Sequence, residues 1–405
     1  GLRGKVDCPR VISGACLRYV SRPRLPLLGQ RAGFKPTWVR VLDLRGLIQR
    51  CLAEKDVPNF PRKALGEIQG VLDELKVADA IPARTIPVEQ RALVVGGGVA
   101  GMRAALSLAE RDIEVHLVER SSKLGGHSAR KLHYTLEGYD PEELITQLRE
   151  RAYEERRIIT YMNSEVVANN GSLGCFRTVI RNGTDKEEVV LHGATILATG
   201  GKEATTQEYC FGQCDRIVTQ SDLEQRLANG GVGAAELETV VMIQCVGSRE
   251  KGAHEYCSRV CCAAALKNAQ KILEKKPNAR IFILNRDIRT SGFLEQYYTR
   301  ARRNGVVFVN YDLGAKPQGE VVDERPVVRF TDPVWRTEFE VGPDLLVLST
   351  GIEPSDANRE VAETFGVELG EDGFFQEAES KWRPIDFLKL GVFVAGVAHS
   401  PRPIN

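Results

Sequence analysis

The sequence predicts an α/β fold in which a split, Rossmann-like dinucleotide-binding domain carries a second α/β domain as an insertion. Three observations predict it. A strand, glycine loop, helix and second strand follow one another from Ala92 to Glu119. Two later apolar strands end in small-residue exits, Ala198-Thr199-Gly200 and Ser349-Thr350-Gly351. A last apolar strand, Val392-Phe393-Val394, ends at Ala395-Gly396. Two exits and one return imply that the chain leaves its first domain, builds a second and comes back.

The first unit opens on Leu93-Val94-Val95 and turns through Gly96-Gly97-Gly98-Val99-Ala100-Gly101. A small-residue helix follows, with Ala104, Ala105, Leu106, Leu108 and Ala109. Ile113, Val115 and Leu117 alternate as the next strand, which ends at Glu119. A G-x-G-x-x-G turn between strand and helix lets a pyrophosphate approach bare backbone, and the helix start supplies N–H donors and positive dipole. An acid at the end of the second strand is placed to accept hydrogen bonds from a ribose. This order of parts makes dinucleotide binding the reading, over a glycine-rich turn in an ordinary sheet. Arg120, Lys123, Gly125, Gly126 and His127 come next. The Gly-Gly pair lets backbone wrap the nucleotide without a Cβ in the way. Lys123 stands where it can reach the nucleotide, and His127 and His133 where they can bond a flavin. Solvated or packing roles are the plainer alternatives for all three.

With 405 residues the chain is long enough for two or three domains, and 42% hydrophobic residues can fill their cores. The net charge is +1, from 55 basic and 54 acidic residues, so nothing points to nucleic acid or an anionic membrane surface. No apolar run reaches the roughly 18 residues a membrane span needs. The start, GLRGKVDCPR, has no apolar stretch after its basic residues and is not expected to be a signal peptide. It has no initiator Met, so the chain is expected to be a piece of a longer one. Ten cysteines are too sparse for a disulfide scaffold, and four of them crowd between Cys245 and Cys262. In a cytoplasmic protein that favours metal or redox chemistry.

Residues 1–86 form an N-terminal segment. Its Cys8, Cys16 and Cys51 either ligate a further cluster or are idle thiols. Leu65, Ile68, Val71, Leu72 and Leu75 recur with helical spacing, and Ile81 to Pro87 reads as a proline-stiffened linker. Residues 87–216 are the first part of the dinucleotide domain. They add a helix over Pro141–Tyr153 and strands around Ser164–Val167, Cys175–Arg181 and Glu188–Leu191. Residues 217–340 are the inserted domain, with strands at Val240–Gln244, Ala279–Leu284 and Val306–Tyr311 and helices at Ala263–Glu274 and Gly292–Arg303. Residues 341–405 complete the first domain. A nicotinamide-binding insertion would carry a second G-x-G-x-x-G after its first strand. This one carries Gln244-Cys245-Val246-Gly247-Ser248-Arg249 instead. The missing second fingerprint, the Ala-Thr-Gly exit and the returning strand make the dinucleotide FAD. Backbone at Gly96, Gly98, Val99, Ala100, Gly101, Ala198, Thr199, Gly200, Gly351 and Gly396 is expected to hold it, with Glu119.

The cysteines Cys245, Cys257, Cys261 and Cys262 are spaced C-x11-C-x3-C-C. Four thiolates this close suit a tetrahedral zinc or an iron–sulfur cluster. Adjacent cysteines are awkward around one zinc ion, whereas a [4Fe–4S] cube offers them separate corners. Cys257 and Cys261 are expected to share a helix face, four residues apart. Arg249, Lys251 and Arg259 would offset the cluster's charge. Iron–sulfur is the favoured reading. Zinc and a redox-active Cys261–Cys262 disulfide stay as alternatives, and the second would make the chain an NAD(P)H-dependent FAD disulfide oxidoreductase.

These residues carry a resemblance. ALVVGGGVAGMRAALSLAE, LGGHSARKLHYTLEG, ILATGG, IQCVGSRE, YCSRVCCAAALKNA, NRDIRTSG, DLLVLSTGIEPS and GVFVAGVAHSPRPI resemble the A subunit of heterodisulfide reductase, from about Arg91 to the end. The paired IQCVGSR and YCSRVCC are the specific part. The resemblance implies a two-dinucleotide-binding, thioredoxin-reductase-like flavoprotein and a [4Fe–4S] cluster on Cys245, Cys257, Cys261 and Cys262. It implies an oxidoreductase subunit of anaerobic metabolism that transfers electrons between flavin and cluster, in bifurcation or confurcation. Implied partners are iron–sulfur heterodisulfide reductase, hydrogenase or formate- or NADH-linked subunits, ferredoxin, and a second copy of the chain. Archetypal members insert a ferredoxin-like domain after the Gly-Gly pair; here Gly126 runs on through His133-Tyr134-Thr135 to the next helix.

Overall fold

The structure is a computed structural model that describes residues 11–15, 39–77, 87–230 and 236–404. Cys8, Cys16 and the expected linker before Pro87 lie outside the described residues. The chain divides into two compact units, Gly1–Pro87 with Glu379–Pro384, and Val88–Ala378 with Ile385–Asn405.

In the first unit β1 (Val11–Ala15) pairs in parallel with β2 (Val39–Asp43), and α1 (Leu44–Ala53) and α2 (Phe60–Val77) follow. Leu42, Leu47, Cys51 and Leu75 are buried. The apolar face expected over Leu65–Leu75 is only partly used: Leu75 is buried and Leu65 is exposed.

The second unit repeats one plan. Its first sheet contains β3 (Arg91–Val95), β4 (Glu114–Val118), β5 (Ile158–Tyr161), β9 (Ala194–Leu197) and β20 (Val392–Val394), all parallel, in the order β20-β9-β3-β4-β5. Helices α3 (Val99–Ala109), α4 (Gly126–Lys131) and α5 (Pro141–Glu154) connect its strands. An antiparallel meander, β6 (Ser164–Ser172), β7 (Cys175–Asn182) and β8 (Glu187–His192), precedes β9. Short β10 (Gly201–Glu203) then leads out.

The second sheet contains β11 (Ile217–Thr219), β12 (Thr239–Ile243), β13 (Arg280–Asn285), β14 (Val307–Asn310) and β18 (Leu345–Leu348). Its order, β11-β18-β12-β13-β14, matches that of the first sheet from the second position on, while its edge strand β11 comes first in the chain where β20 comes last. Helices α6 (Gln220–Asn229), α7 (Cys261–Lys275) and α8 (Glu295–Arg303) flank it. A second meander, β15 (Gln318–Val322), β16 (Arg325–Asp332) and β17 (Thr337–Val341), precedes β18. On the way back β19 (Ile352–Pro354) pairs with β10, so the outgoing and returning connections lie side by side. Helix α9 (Asn358–Phe365) follows. Every residue of β12 is buried, as parallel strands covered on both faces require.

The elements differ from expectation in four places, the first being β6, which runs to Ser172 rather than Val167. Strand β18 pairs with β11 and β12, so the second sheet reaches Leu348, beyond the boundary drawn at residue 340. Its pattern, four apolar residues and a small-residue exit, suits either sheet, and only pairing decides between them. Helix α7 starts at Cys261 rather than Ala263, and α8 starts at Glu295 after a 3-10 turn over Gly292–Leu294.

One buried histidine makes stability depend on pH. His192 is 0% exposed, with Nε2 2.7 Å from Thr178 Oγ1, Nδ1 3.0 Å from the Ala194 carbonyl and its ring stacked on Phe176. Burial pushes its pKa from 6.5 down to about 4. The folded state therefore holds a neutral ring while the unfolded chain takes up a proton. Stability is intact above pH 6.5 and falls as the pH drops toward 4, by about 3 kcal/mol from this group. Urea unfolding at pH 7 and pH 4 checks this: His192→Gln is expected to lose that part of the slope.

Candidate functional site

The first β–α turn builds a cradle. A Cβ on Gly101 would lie 1.8 Å from the Gly96 carbonyl oxygen, so only glycine lets α3 start this close to the turn. A Cβ on Gly126, at φ +61°, would meet the Gly98 Cα at 2.9 Å. The two glycine segments run side by side, joined by a Gly98–Gly125 bridge and by the Gly125 N–H donating to the Gly97 carbonyl at 2.9 Å. Between them there is room at Gly98: its Cβ would meet nothing nearer than the Gly126 Cα at 3.9 Å. No side chain caps α3, so its first N–H groups face that space. A phosphate fits there and a methyl group would fill it.

Glu119 is buried at the cradle's rim, 6% exposed. Its Oε2 accepts the Gly97 N–H at 2.7 Å and its Oε1 the Ser121 N–H at 2.8 Å. These two bonds fix the carboxylate and leave further lone pairs for a diol. Sequence reasoning passed over Gly97, yet its N–H aims the acid and a Cβ there would strike Leu124 at 2.4 Å.

The other expected dinucleotide residues divide. The Ala198 N–H donates to Val95, Thr199 Oγ1 donates to Asn358 Oδ1 at 2.7 Å, and Gly200 follows in open space. Gly396 packs against the first turn of α3, its Cβ position 2.6 Å from the Ala100 Cβ. Thus Gly96, Gly98, Val99, Ala100, Gly101, Gly125, Gly126, Ala198 and Gly396 are brought together. Arg120 and Lys123 are exposed, and His127 is half-buried on α4. Gly351 is elsewhere, 2.5 Å from the Ser258 Oγ when given a Cβ, among the cysteine loops. Its exit motif belongs to the second sheet, and its carbonyl accepts the Ala204 N–H at 3.0 Å, on the connection that follows Gly200.

In the second sheet the corresponding turn is rebuilt. The Gln244 N–H donates to the Leu284 carbonyl as Gly96 does to Val118, so Gln244 stands where Gly96 does. Asn285 then takes the place of Glu119, and its amide is spent on the Ile283 and Val309 carbonyls. Both the glycine and the acid of a second nucleotide site are gone.

A loop from Gln244 to Val260 replaces them and leads into α7. Cys245 and Cys262 are buried, Cys257 and Cys261 partly so, and all four are free thiols. Cys245, Arg249 and Arg259 sit in the left-handed region, near φ +61°, a conformation that costs a non-glycine residue about 1 kcal/mol or more. Arg286 staples the loop, donating to the Ser248 and Arg249 carbonyls at 2.7 and 3.0 Å. Asp287 bridges Arg249 and Arg289. Both stapling residues lie in the NRDIRTSG stretch, which carries the resemblance but gives neither of them a role by itself.

The sulfurs receive donors. The Arg259 N–H points at Cys257 Sγ (3.3 Å), the Arg289 N–H at Cys262 Sγ (3.4 Å) and Arg249 Nη1 at Cys245 Sγ (3.9 Å). Cys261 and Cys262 open α7, whose start no side chain caps. Cys257 precedes the helix, so it does not share a helix face with Cys261, because the left-handed Arg259 breaks the helical run between them. Burial and the neighbouring thiols push the Cys261 pKa well up, and burial pushes that of Cys262 up to about 11. Thiolates this close repel one another, so the four thiols ionise together only around positive metal. At the loop's first residue the Gln244 amide is fully buried, and neither its nitrogen nor its oxygen has a protein partner. Donors aimed at sulfur, an uncapped helix start and an orphaned amide fit an iron–sulfur cluster. Among the described residues no three His, Cys, Asp or Glu side chains converge on a single-ion site. Adjacent helix positions point about 100° apart, which suits separate corners of a cube better than a Cys261–Cys262 disulfide.

The paired sheets, meanders and cradle define a two-dinucleotide FAD oxidoreductase fold. The family profile described as FAD dependent oxidoreductase matches residues 92–179. Thioredoxin reductase of Lactococcus lactis shares the fold, with a TM-score of 0.52 at 15% identity over 78% of this chain and 92% of that one. Over nearly its whole length the chain is similar to heterodisulfide reductase A subunits. It is 27% identical to the iron-sulfur A subunit of the CoB–CoM heterodisulfide reductase of Methanocaldococcus jannaschii, over 98% of this chain and 74% of that one. It is 29% identical to the A subunit of the ferredoxin:CoB-CoM heterodisulfide reductase of Methanosarcina mazei, over 99% of this chain and 61% of that one. Among the described residues no helix is long and apolar enough to cross a membrane.

Proposed function

We propose that the chain is the flavin- and cluster-bearing electron-transfer subunit of a heterodisulfide-reductase-like complex. FAD lies in the cradle of Gly96, Gly98, Val99, Ala100, Gly101, Gly125 and Gly126, with its ribose on Glu119 and with Ala198, Thr199, Gly200 and Gly396 along its length. A [4Fe–4S] cluster is held by Cys245, Cys257, Cys261 and Cys262. When bound, FAD supplies two-electron chemistry and the cluster single-electron transfer. The residues of this chain hold the two groups at a set separation, exclude water from the cysteines and offset negative charge with Arg249, Arg259 and the start of α7. Passing electrons singly between the two is the step that flavin-based bifurcation or confurcation requires.

One observation carries this reading: a donor-lined cysteine loop occupies the turn where a second nucleotide would otherwise bind. The loss of both Gly96 and Glu119 counterparts there works against the NAD(P)H-dependent disulfide reductase. The names of the relatives support two partners, ferredoxin and a disulfide-reducing protein. We place the complex in a reducing compartment such as the cytoplasm, where thiolate ligands persist, with a second copy of the chain in it. Protein purified without oxygen is expected to contain about four irons per flavin and a cluster signal by EPR on stepwise reduction. A pure flavin spectrum without iron would sink the proposal.

A further inference from the structure

The segment after α4, Leu132 to Leu136, leaves the dinucleotide cradle and enters the other domain. Leu136 is buried in the hydrophobic core built by α6, α7 and the second sheet, alongside Leu223, Leu266 and Ala269. Before it, the His133 and Tyr134 N–H groups donate to Glu224 Oε1 at 2.7 and 3.3 Å. Glu224, on α6, is ion-paired with Lys267 of α7 at 2.6 Å, the two side chains only 4% and 10% exposed. Lys267 Nζ also donates to the Tyr134 carbonyl at 2.9 Å and lies 5.1 Å from the Tyr134 ring centroid. The Tyr134 hydroxyl donates to Asn268 Oδ1 at 2.6 Å. Asn268, fully buried, donates in turn to Gln220 Oε1 at 2.8 Å, and Gln220 to Ser349 Oγ at 3.3 Å, beside the β18 exit.

Such a set is more than a surface ion pair. Glu224, Asn268 and Gln220 are buried, Tyr134 and Lys267 half-buried, and each is bonded within the set; a bonded buried network fixes one arrangement where an apolar contact tolerates several. Its two ends matter for the site. One is the Gly125–Gly126 segment that closes the cradle. The other is α7, whose residues Lys267 and Asn268 lie about 9 Å along the helix from Cys261. We propose that Leu132–Leu136 is a strut that fixes the cysteine-bearing helix α7 against the glycine cradle. Glu224, Lys267, Asn268 and Tyr134 are then positioning residues, which touch no reacting group and set the separation across which electrons pass. The functional consequence rests on the cofactor assignment above; the locking of the two domains does not.

The test measures the geometry itself. Nitroxide-bearing residues replace Ser107, exposed on α3, and Arg303, exposed on α8, and pulsed EPR gives the distance distribution between the domains. A single narrow distance is expected in the otherwise unaltered protein. Glu224→Gln with Lys267→Gln removes both charges together, and the distribution is expected to become at least twice as broad, with helix content by circular dichroism retained. Should that variant fail to fold, Tyr134→Phe with Leu136→Ala provides the same comparison under a milder change. A broad distribution without these substitutions, or an unchanged narrow one with them, overturns the strut. Flavin and iron counts on the same samples separate the two claims: protein without iron that still shows the expected broadening keeps the strut and loses the cofactor assignment.

Discussion

Replacing Cys261 by serine is expected to remove the cluster's iron while flavin stays bound. Cys261 is the first residue of α7, which flanks the second sheet, whereas the glycine cradle is built on the first. The change shortens one side chain and leaves helix α7 its interior, where Ala265, Leu266, Ala269 and Ile272 are all buried. What is lost is a soft thiolate. A serine hydroxyl has far weaker affinity for iron, and a cube held at three corners is exposed to solvent and oxygen. Iron per chain is therefore expected to fall at least fivefold, flavin per chain to change by less than about a fifth, and the reduced-state EPR signal to disappear. Cys175→Ser is the control, since Cys175 is an exposed free thiol on β7, far in the fold from the loop. Unchanged iron in the Cys261 variant would refute the ligand set. Loss of flavin together with iron would show that the two sites are not separable, against the division into two sheets.

How much of this could be read from the sequence follows from which features are local. The cradle was legible because its parts are consecutive: strand, glycines, helix, strand and acid within about thirty residues. The cysteine motif was legible because four cysteines at fixed spacing restrict the chemistry by themselves. What depends on pairing between distant strands was not legible. Leu345–Leu348 followed by Gly351 repeats the pattern of Ala194–Leu197 followed by Gly200, yet the first lies in the second sheet and the second in the first. Gly351 accordingly stands by Ser248 and Ser258, with its carbonyl on the Ala204 N–H of the outgoing connection. The equivalence of Asn285 to Glu119 was hidden for the same reason, since it rests on the register between β12 and β13. The helix face expected for Cys257 and Cys261 failed at one residue, Arg259, whose left-handed backbone no composition rule predicts. Lys267 and Glu224 lie on separate helices more than forty residues apart, and the pair they form is covered by Tyr134, which arrives from ninety residues away.

Gly98→Ala and Gly101→Ala are expected to abolish flavin binding by different routes, and the contrast tests the cradle. At Gly101 an added methyl would sit 1.8 Å from the Gly96 carbonyl oxygen and 3.0 Å from its carbon, both backbone atoms and well inside contact distance. Neither partner can rotate away, so α3 must lift off the strand. Overpacking of this kind costs 1–3 kcal/mol where side chains can yield, and about 3 kcal/mol or more is expected here. Helix α3 carries Met102, Ala105, Leu106 and Ala109 into the core, so the loss spreads to the packing against β3 and β4. At Gly98 the methyl would meet nothing nearer than 3.9 Å. The fold has no reason to object, and alanine at a helix N-cap costs at most about 1 kcal/mol against glycine. The space it fills is the one the pyrophosphate needs, above the uncapped N–H groups of α3. Gly98→Ala is therefore expected to unfold in urea within about 1 kcal/mol of the parent yet retain less than a tenth of its flavin. Gly101→Ala is expected to lose both flavin and stability. Gly98→Ala protein that binds its full complement of flavin would mean that the phosphate does not lie at this helix start, and the assignment of Gly96–Gly101 would have to be abandoned.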